Sequence, residues 1–305
     1  MDGLPRVTCV LLNWNGWRDT IECLDALREC TYPRLDVIVV DNGSTNDSVA
    51  HIRAAHPDTQ LLESRRNLGF AGGNNIGIRF ALENGSDYVW LLNNDTQPAP
   101  EALCALVSKA GNDLRMGAVG SISYYFGEPD IVQIWAGGRV NLWIGYAPSS
   151  TKPHEDAWFD WLNGTSLLLS RAALEDVGLL DESYFLYWDD VEMGLRLRNH
   201  GWKLGAAPDS RILHKVSAST RGNKILLDRY ATASGLRTLK LYSPAPRIAM
   251  CLFVAIRFAR RLLRFEFSRC KSVWRGIQDY WESVRTGVDA CKTPAGKAGP
   301  SLRAG

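Results

Sequence analysis

A chain of 305 residues, 46% hydrophobic and 22% charged, has the composition of an ordinary globular protein and the length for one large core or two modest ones. Its net charge of +2 conceals an asymmetry: from residue 244 onward 12 Lys and Arg face four acids, a surplus of +8 that leaves the first 243 residues at −6. Seven cysteines, odd in number and without a CxxC pair, speak against a disulfide framework and for reduced thiols in a cytosolic setting, and a strand-like run from Arg6 leaves no room for a signal peptide.

Residues 7–12 read as a first strand, and Trp17, Ile21, Leu24 and Leu27 follow at helical spacing. Residues 35–40 are almost purely β-branched, as in a parallel strand covered on both faces. A helix is expected over 44–56, a short strand at 61–62, a helix over 74–84 and a strand over 88–92. That alternation predicts βαβ units in a doubly wound, mostly parallel sheet, with a further strand over 118–123. Residues 124–220 are less regular, with strands expected over 131–140 and 167–169 and a helix over 190–200 that ends at Gly201. Residues 226–241 read as helical. Beyond Pro244 and Pro246, residues 248–267 join an apolar run of about nine residues to Arg257, Arg260, Arg261 and Arg264. A bilayer span needs roughly 20 apolar residues. This segment is therefore read as a basic amphipathic helix at a membrane surface, the alternative being a helix packed on the core or at an oligomer interface with solvated arginines. The organisation expected is 1–123, 124–243 and a tail of 244–305.

Chemistry-bearing residues gather at two places. Asn93-Asn94-Asp95 follows the apolar run 88–92, which puts the acid at the carboxyl edge where open α/β sheets bind ligands. Further on stand Trp188-Asp189-Asp190-Val191-Glu192 and then His214; carboxylates and an imidazole are the parts a divalent cation and a general base require. On a helix Asp189 and Glu192 share a face and Asp190 takes another. Repulsion from those two acids is expected to raise the pKa of Asp190; the bland alternative is a helix cap with Glu192 paired to Arg196. Asp41 ends the second strand in Val39-Val40-Asp41-Asn42-Gly43-Ser44, where it could accept from a pyrimidine ring N–H or simply shape a turn. The run Asn67-Leu68-Gly69-Phe70-Ala71-Gly72-Gly73-Asn74-Asn75-Ile76-Gly77 is read as a loop before a helix, either flexible or letting a phosphate or ribose approach the backbone. The first turn, Asn13-Trp14-Asn15-Gly16, lacks GxGxxG, and no GxxxxGK[ST] occurs, which counts against a dinucleotide fold and a P-loop. Trp158, Trp161, Tyr184, Tyr187 and Trp188 surround the second acidic knot in sequence, as a sugar platform or as core.

With Val10-Leu11-Leu12-Asn13-Trp14-Asn15 added, these motifs stand in an order that resembles family 2 glycosyltransferases, and within them rhamnosyltransferase-like enzymes of bacterial surface-polysaccharide assembly, over about residues 6–220. The resemblance implies a GT-A fold, a nucleotide-diphosphate sugar donor, a divalent cation (Mn²⁺ or Mg²⁺) and inversion at the anomeric carbon. It puts Asp95 on the metal with His214 as helper, although Asn93 replaces the first acid of the family's metal motif. It makes Asp190 the base with Asp189 beside it, and sets Asn13, Asp41, Asn67, Gly69, Phe70, Asn74 and Asn94 around the nucleotide. The donor it implies is dTDP-rhamnose, with UDP-galactofuranose or UDP-N-acetylglucosamine as runner-up. The acceptor is a glycan or polyprenyl-linked sugar, and the enzyme sits on the inner face of the cell membrane, as a monomer or homo-oligomer, with no nucleic-acid partner. One rival, a nucleotidyltransferase, would carry a glycine-rich motif with Arg and Lys in the first βα turn, which residues 13–18 do not supply; the other is a non-catalytic glycan-binding scaffold.

Overall fold

The computed structural model describes residues 3–215 and 224–286, so that residues 216–223 and the end of the basic tail, with Lys292, Lys297, Arg303 and Cys291, lie outside the described residues. The first half alternates as its hydrophobic pattern requires: β1 (Val7–Asn13), α1 (Trp17–Arg28), β2 (Leu35–Asp41), α2 (Ser48–Ala55), β3 (Gln60–Glu63), α3 (Gly69–Glu83) and β4 (Tyr88–Asn93). Then come β5 (Thr96–Pro98), α4 (Ala102–Gly111), β6 (Met116–Tyr125), β7 (Glu128–Trp135), β8 (Gly137–Gly138), β9 (Trp161–Leu162), β10 (Ser166–Ser170) and α5 (Arg171–Val177). The rest is α6 (Asp189–Asn199), β11 (Lys203–His214), α7 (Lys224–Tyr242), α8 (Pro246–Leu262) and α9 (Phe267–Thr286).

A nine-stranded sheet runs β3-β2-β1-β4-β10-β6-β11-β5, with β7 paired to β6. Strands β3, β2, β1 and β4 are mutually parallel, β11 is parallel to β6, and β10 runs antiparallel between β4 and β6. This is the mostly parallel, helix-flanked sheet of the GT-A fold. Because side chains alternate along a strand, Val7, Cys9 and Leu11 of β1 face α1, α2 and α4, while Val10 faces α3, α5 and α6. Trp90 of β4 is fully buried, and its indole N–H donates to Ser166 Oγ of β10 at 2.9 Å. A third apolar cluster joins α7, α8 and α9 through Leu236, Leu239, Ala249, Phe253 and Tyr280, and Trp188 packs against it. The basic segment beyond Pro244 is thus two helices folded back on α7. Among the described residues no helix is long and apolar enough to cross a membrane, and the six described cysteines are free.

Three expected elements differ, each for a local reason. The helix expected over 44–56 starts only at Ser48, because Asn46 Oδ1 accepts from Ser48 N–H and holds the preceding turn. The strand expected over 131–140 breaks at Ala136, whose φ is 57°. The run expected to be a loop before residue 74 is the beginning of α3 itself, and its glycines serve helix–sheet packing. A Cβ at Gly77 would lie 2.4 Å from Val10 Cγ1, and one at Gly73 2.5 Å from Leu12 Cδ1. Gly77→Ala should therefore destabilise the fold by about 1–3 kcal/mol through overpacking, whereas Gly111→Ala, with nothing within 4 Å of its Cβ, should be neutral or slightly stabilising. Urea midpoints of the two variants check the contrast; equal midpoints would contradict the packing role.

Candidate active site

The carboxyl ends of β1 and β2 carry the first group of predicted residues. Asn13 is fully buried and its amide is saturated: Nδ2 donates to Asp41 Oδ1 at 2.7 Å and to Ser44 Oγ at 3.2 Å, while Oδ1 accepts from Thr20 Oγ1 and Gly16 N–H. With its side-chain amide so engaged, Asn13 braces Asp41. Asp41 Oδ1 also accepts from Ser44 Oγ and Oδ2 from Ser44 N–H, so Oδ2 keeps acceptor capacity. Asn94 Nδ2 donates to Thr20 Oγ1 at 2.8 Å, tying the end of β4 to the same knot. Asn42, which sequence reasoning passed over, is a hub: it donates to Asn67 Oδ1 and Gly69 O and accepts from Leu68 N–H. Asn74 is buried and donates to Phe70 O within its own helix, so it too is placed as internal bracing rather than in an open cleft. Gly69 has φ 77°, and a Cβ there would lie 2.2 Å from Phe185 O. The next residue, Phe70, donates its N–H to that same carbonyl at 2.8 Å. The glycine lets this corner dock on the segment leading to Asp190.

Asp95 and His214, far apart in the chain, are joined by strand register. In the antiparallel pairing of β5 with β11, His214 stands opposite Thr96, and Lys215 N–H donates to Asp95 O. His214 Nε2 lies 3.4 Å from Asp95 Oδ1, both side chains being 12% exposed. On its other side, Nδ1 is 2.6 Å from Gln133 Oε1. An amide oxygen only accepts, so Nδ1 carries the proton and Nε2 turns its lone pair toward Asp95. That Nε2 is buried without a hydrogen-bond partner among the described residues, which is the condition of an imidazole awaiting a cation. A carboxylate oxygen beside an oriented imidazole nitrogen suits Mn²⁺ or Mg²⁺. Among the described residues no group of three or more His, Cys, Asp and Glu assembles, so a cation placed here would have two protein ligands and take the remainder from substrate and water. Gln133 was missed because nothing in a lone amide on an edge strand marks it.

The acidic knot opens α6. Tyr187 and Trp188 both have φ 66°, left-handed values that bulky residues rarely adopt. This double turn starts the helix at Asp189 and separates the acids: Asp189 and Glu192 point inward, Asp190 toward solvent. Glu192 is held bidentately by Arg196, at 3.0 and 2.9 Å, and by Tyr242 Oη at 2.7 Å from α7. The pairing with Arg196 fits the structural reading of that residue. Asp190 Oδ1 accepts from Val191 N–H at 2.8 Å and Oδ2 from Gly164 N–H at 3.4 Å. Its rim is open, but protein crowds it closely enough that burial pushes its pKa up to about 6 against those two hydrogen bonds. The expected cause, repulsion from neighbouring acids, is corrected: burial dominates, and the repulsion falls on Asp189, which burial first and then Asp190 and Glu192 hold well above the usual range.

The two acids belong to one edge of the sheet. Asp95 follows β4, Asn93 N–H bonds Thr165 O at 2.9 Å, and Thr165 adjoins Gly164, the partner of Asp190. Asp190 also lines a cavity of about 490 Å³, together with Trp161, Tyr187 and Trp188 and with Phe253, Arg257 and Arg260 of α8. Of the five aromatics singled out in the sequence, these three reach it. Tyr184 is core, and Trp158 stacks on His154 at 3.6 Å.

Comparison with known proteins meets this geometry. The glycosyl transferase family 2 model matches residues 8–145, and that of glycosyl transferase family group 2 matches residues 88–270. The N-acetylglucosaminyl-diphospho-decaprenol L-rhamnosyltransferase of Mycobacterium tuberculosis is 30% identical over 221 residues, 65% of this chain and 72% of that protein. A galactofuranosyltransferase of the same organism is 29% identical over 198 residues, 63% of this chain and 64% of that one. A mannosyltransferase of Pyrobaculum calidifontis, solved with GDP-Man and Mn²⁺, superposes with a TM-score of 0.57 at 19% identity, covering 94% of this chain and 77% of that one. The mostly parallel sheet, the acids at its carboxyl edge and two matching family models lead to one conclusion: the chain belongs to glycosyl transferase family 2 and is rhamnosyltransferase-like within it.

Proposed function

We propose that the protein is an inverting, metal-dependent transferase that moves rhamnose from dTDP-rhamnose to a hydroxyl of a lipid-linked glycan at the cytoplasmic face of the membrane. The observation that carries this is Asp190, a carboxylate with its pKa pushed up to about 6 at the wall of a cavity, one strand away from the Asp95–His214 pair. Residues 1–123 would hold the nucleotide, with Asp41 Oδ2 accepting from the base, Asn67, Gly69, Phe70 and Asn94 forming the rim, and Asn13 and Asn74 bracing it. Residues 124–243 would supply base and acceptor wall. A divalent cation on Asp95 and His214 would add positive charge opposite the donor diphosphate.

The chemistry asked of the chain's own groups is one displacement. The acceptor oxygen forms a bond to the anomeric carbon while its proton passes to Asp190. The bond from that carbon to the diphosphate oxygen breaks, the electron pair leaving with the nucleoside diphosphate on the opposite face, so configuration inverts. General-base assistance of this kind contributes about 10²–10⁴-fold. The galactofuranosyltransferase relative supports a second reading, transfer from UDP-galactofuranose, and a donor panel decides between them. A non-catalytic scaffold would leave every donor inert in wild type and Asp190→Asn alike.

Asp190 must be ionised to act, so kcat/KM should fall as pH drops through about 6 and level off above it. Asp190→Asn should lose about 10²–10⁴-fold in kcat and show no such inflection; an unchanged profile would reject the base. The Mn²⁺-dependent thermal shift with dTDP should vanish in Asp95→Asn and in His214→Ala, and Gln133→Ala should weaken Mn²⁺ by about 10–100-fold. Membrane attachment is proposed through the exposed stripe of α8 and α9, with Ile248, Leu252, Leu262, Phe267, Trp274 and Trp281 interleaved with Arg264 and Lys271. Leu252→Glu with Trp274→Glu should release the protein from anionic vesicles in sedimentation, and undiminished pelleting would count against it.

A further inference from the structure

Four arginines converge beside the cavity. Asp228 of α7, buried, accepts from Arg261 Nε at 3.0 Å and again from its Nη2, from Arg269 Nε at 2.6 Å and from Arg257 Nη2 at 3.2 Å. Arg269 has a second acid, Glu266. Arg260 lies 5.9 Å over the ring of Tyr146 with no acid against it among the described residues. One carboxylate therefore serves Arg257 and Arg261 together, and Arg260 stands next to them. The surplus is visible at Arg257, whose pKa falls to about 10, through burial first and the nearness of Arg261 next. Its Nε–H is buried and has no hydrogen-bond partner among the described residues. Trp161 Nε1–H is in the same state. Buried donors left unpaired are destabilising by about 1–3 kcal/mol each. Arg257, Arg260 and Arg261 all line the space that also holds Asp190.

We propose that this cavity is the acceptor subsite, in which Arg257 and Arg260 bind the diphosphate of a polyisoprenoid-linked sugar while that sugar's hydroxyl meets Asp190. The inference rests on the transferase reading above and adds the residues that select a phosphorylated acceptor. The volume, about 490 Å³, lies in the range of small-molecule sites and leaves space for a sugar and a diphosphate together. Guanidinium forks match phosphate oxygens two at a time. Ile144, Tyr146 and Ile256 continue the lining, giving an isoprenoid chain an apolar path toward the exposed stripe of α8. Asp95 and His214 do not line this cavity, which separates the acceptor's diphosphate from the donor's.

The full-length protein in EDTA, with no cation for a donor site, is titrated with farnesyl diphosphate and with farnesol. Arg260→Gln and Arg257→Gln should weaken farnesyl diphosphate at least about tenfold, the loss of one or two charged hydrogen bonds, and leave farnesol within about twofold. Arg260 is exposed and holds no acid, so its variant remains informative if Arg257→Gln misfolds. In transfer assays KM for a diphosphate-linked acceptor should rise while KM for the alkyl glycoside of the same sugar stays put. Equal binding of farnesyl diphosphate by wild type and Arg260→Gln overturns the proposal. So does a wild type that does not prefer it to farnesol. If Arg260→Gln loses only phosphatidylglycerol vesicles, the cluster is a headgroup anchor and the subsite is rejected. A wild type that binds farnesyl diphosphate through Arg260 yet acts on no nucleotide sugar would sustain the anion site and sink the transferase reading instead.

Discussion

The site depends on one strand running against its neighbours. With β10 antiparallel between β4 and β6, its beginning lies beside the end of β4. In an all-parallel sheet every strand entry is at the opposite edge from the carboxyl ends. Here the entry to β10 brings Asn163, Gly164 and Thr165 to the carboxyl edge, where Thr165 O takes the Asn93 N–H and Gly164 N–H reaches Asp190. The antiparallel β5–β11 pairing repeats the device on the outer side and places His214 against Asp95. A parallel core fixes where ligands gather, and two reversals supply groups from remote parts of the chain.

Burying acids constrains the rest, and each of four carboxylates meets the constraint differently. Glu192 has both its oxygens satisfied by Arg196 and Tyr242; breaking such a pair on one side costs about 3–5 kcal/mol. Asp189, with no cation beside it, is held well above the usual carboxylate range by burial first. Asp228 is drawn below the usual range by Arg261 and Arg269, which outweigh its burial. Asp190 lies between these extremes: an open rim and two backbone N–H donors keep ionisation within reach near neutrality, and the crowding makes the anion basic.

Strands β1, β2 and β4 and the amphipathic helix α1 were legible because each is a local pattern whose period survives packing. The acids at strand ends were legible as well, since a carboxylate closing a buried run has few structural uses. The Gly/Asn run at 67–77 was not: glycine marks close approach but not what approaches, and here much of it is β1 pressing on α3 at Gly73 and Gly77. Asn13 was ambiguous for a related reason, because an asparagine at a strand end binds a ligand or braces a neighbour with the same atoms. Most of strand β11 was not legible as a strand, as its bulge after Ala207 breaks the alternation. Gln133 and the arginine cluster on Asp228 arise from pairings across long separations, which no window of sequence contains. The basic segment beyond Pro244 read as solvated or lipid-facing, yet Arg257 and Arg261 turn inward.

That inward turn ties the last helices to the base. Trp188, in its left-handed conformation, packs edge-on to Phe253 of α8 with ring centroids 6.2 Å apart, and Phe253 in turn fills the space above Gly145 and Gly235. Tyr242 at the end of α7 holds Glu192, two residues on from Asp190. Two bulky residues at positive φ cost about 1–3 kcal/mol each, so the turn that aims Asp190 persists only while these contacts over-determine it. Removing α8 and α9 would take away Phe253 and the far wall of the cavity together. The helices that present an apolar stripe outward are the same ones that hold the acidic knot in register, so whatever covers that stripe bears mechanically on the turn at Asp190.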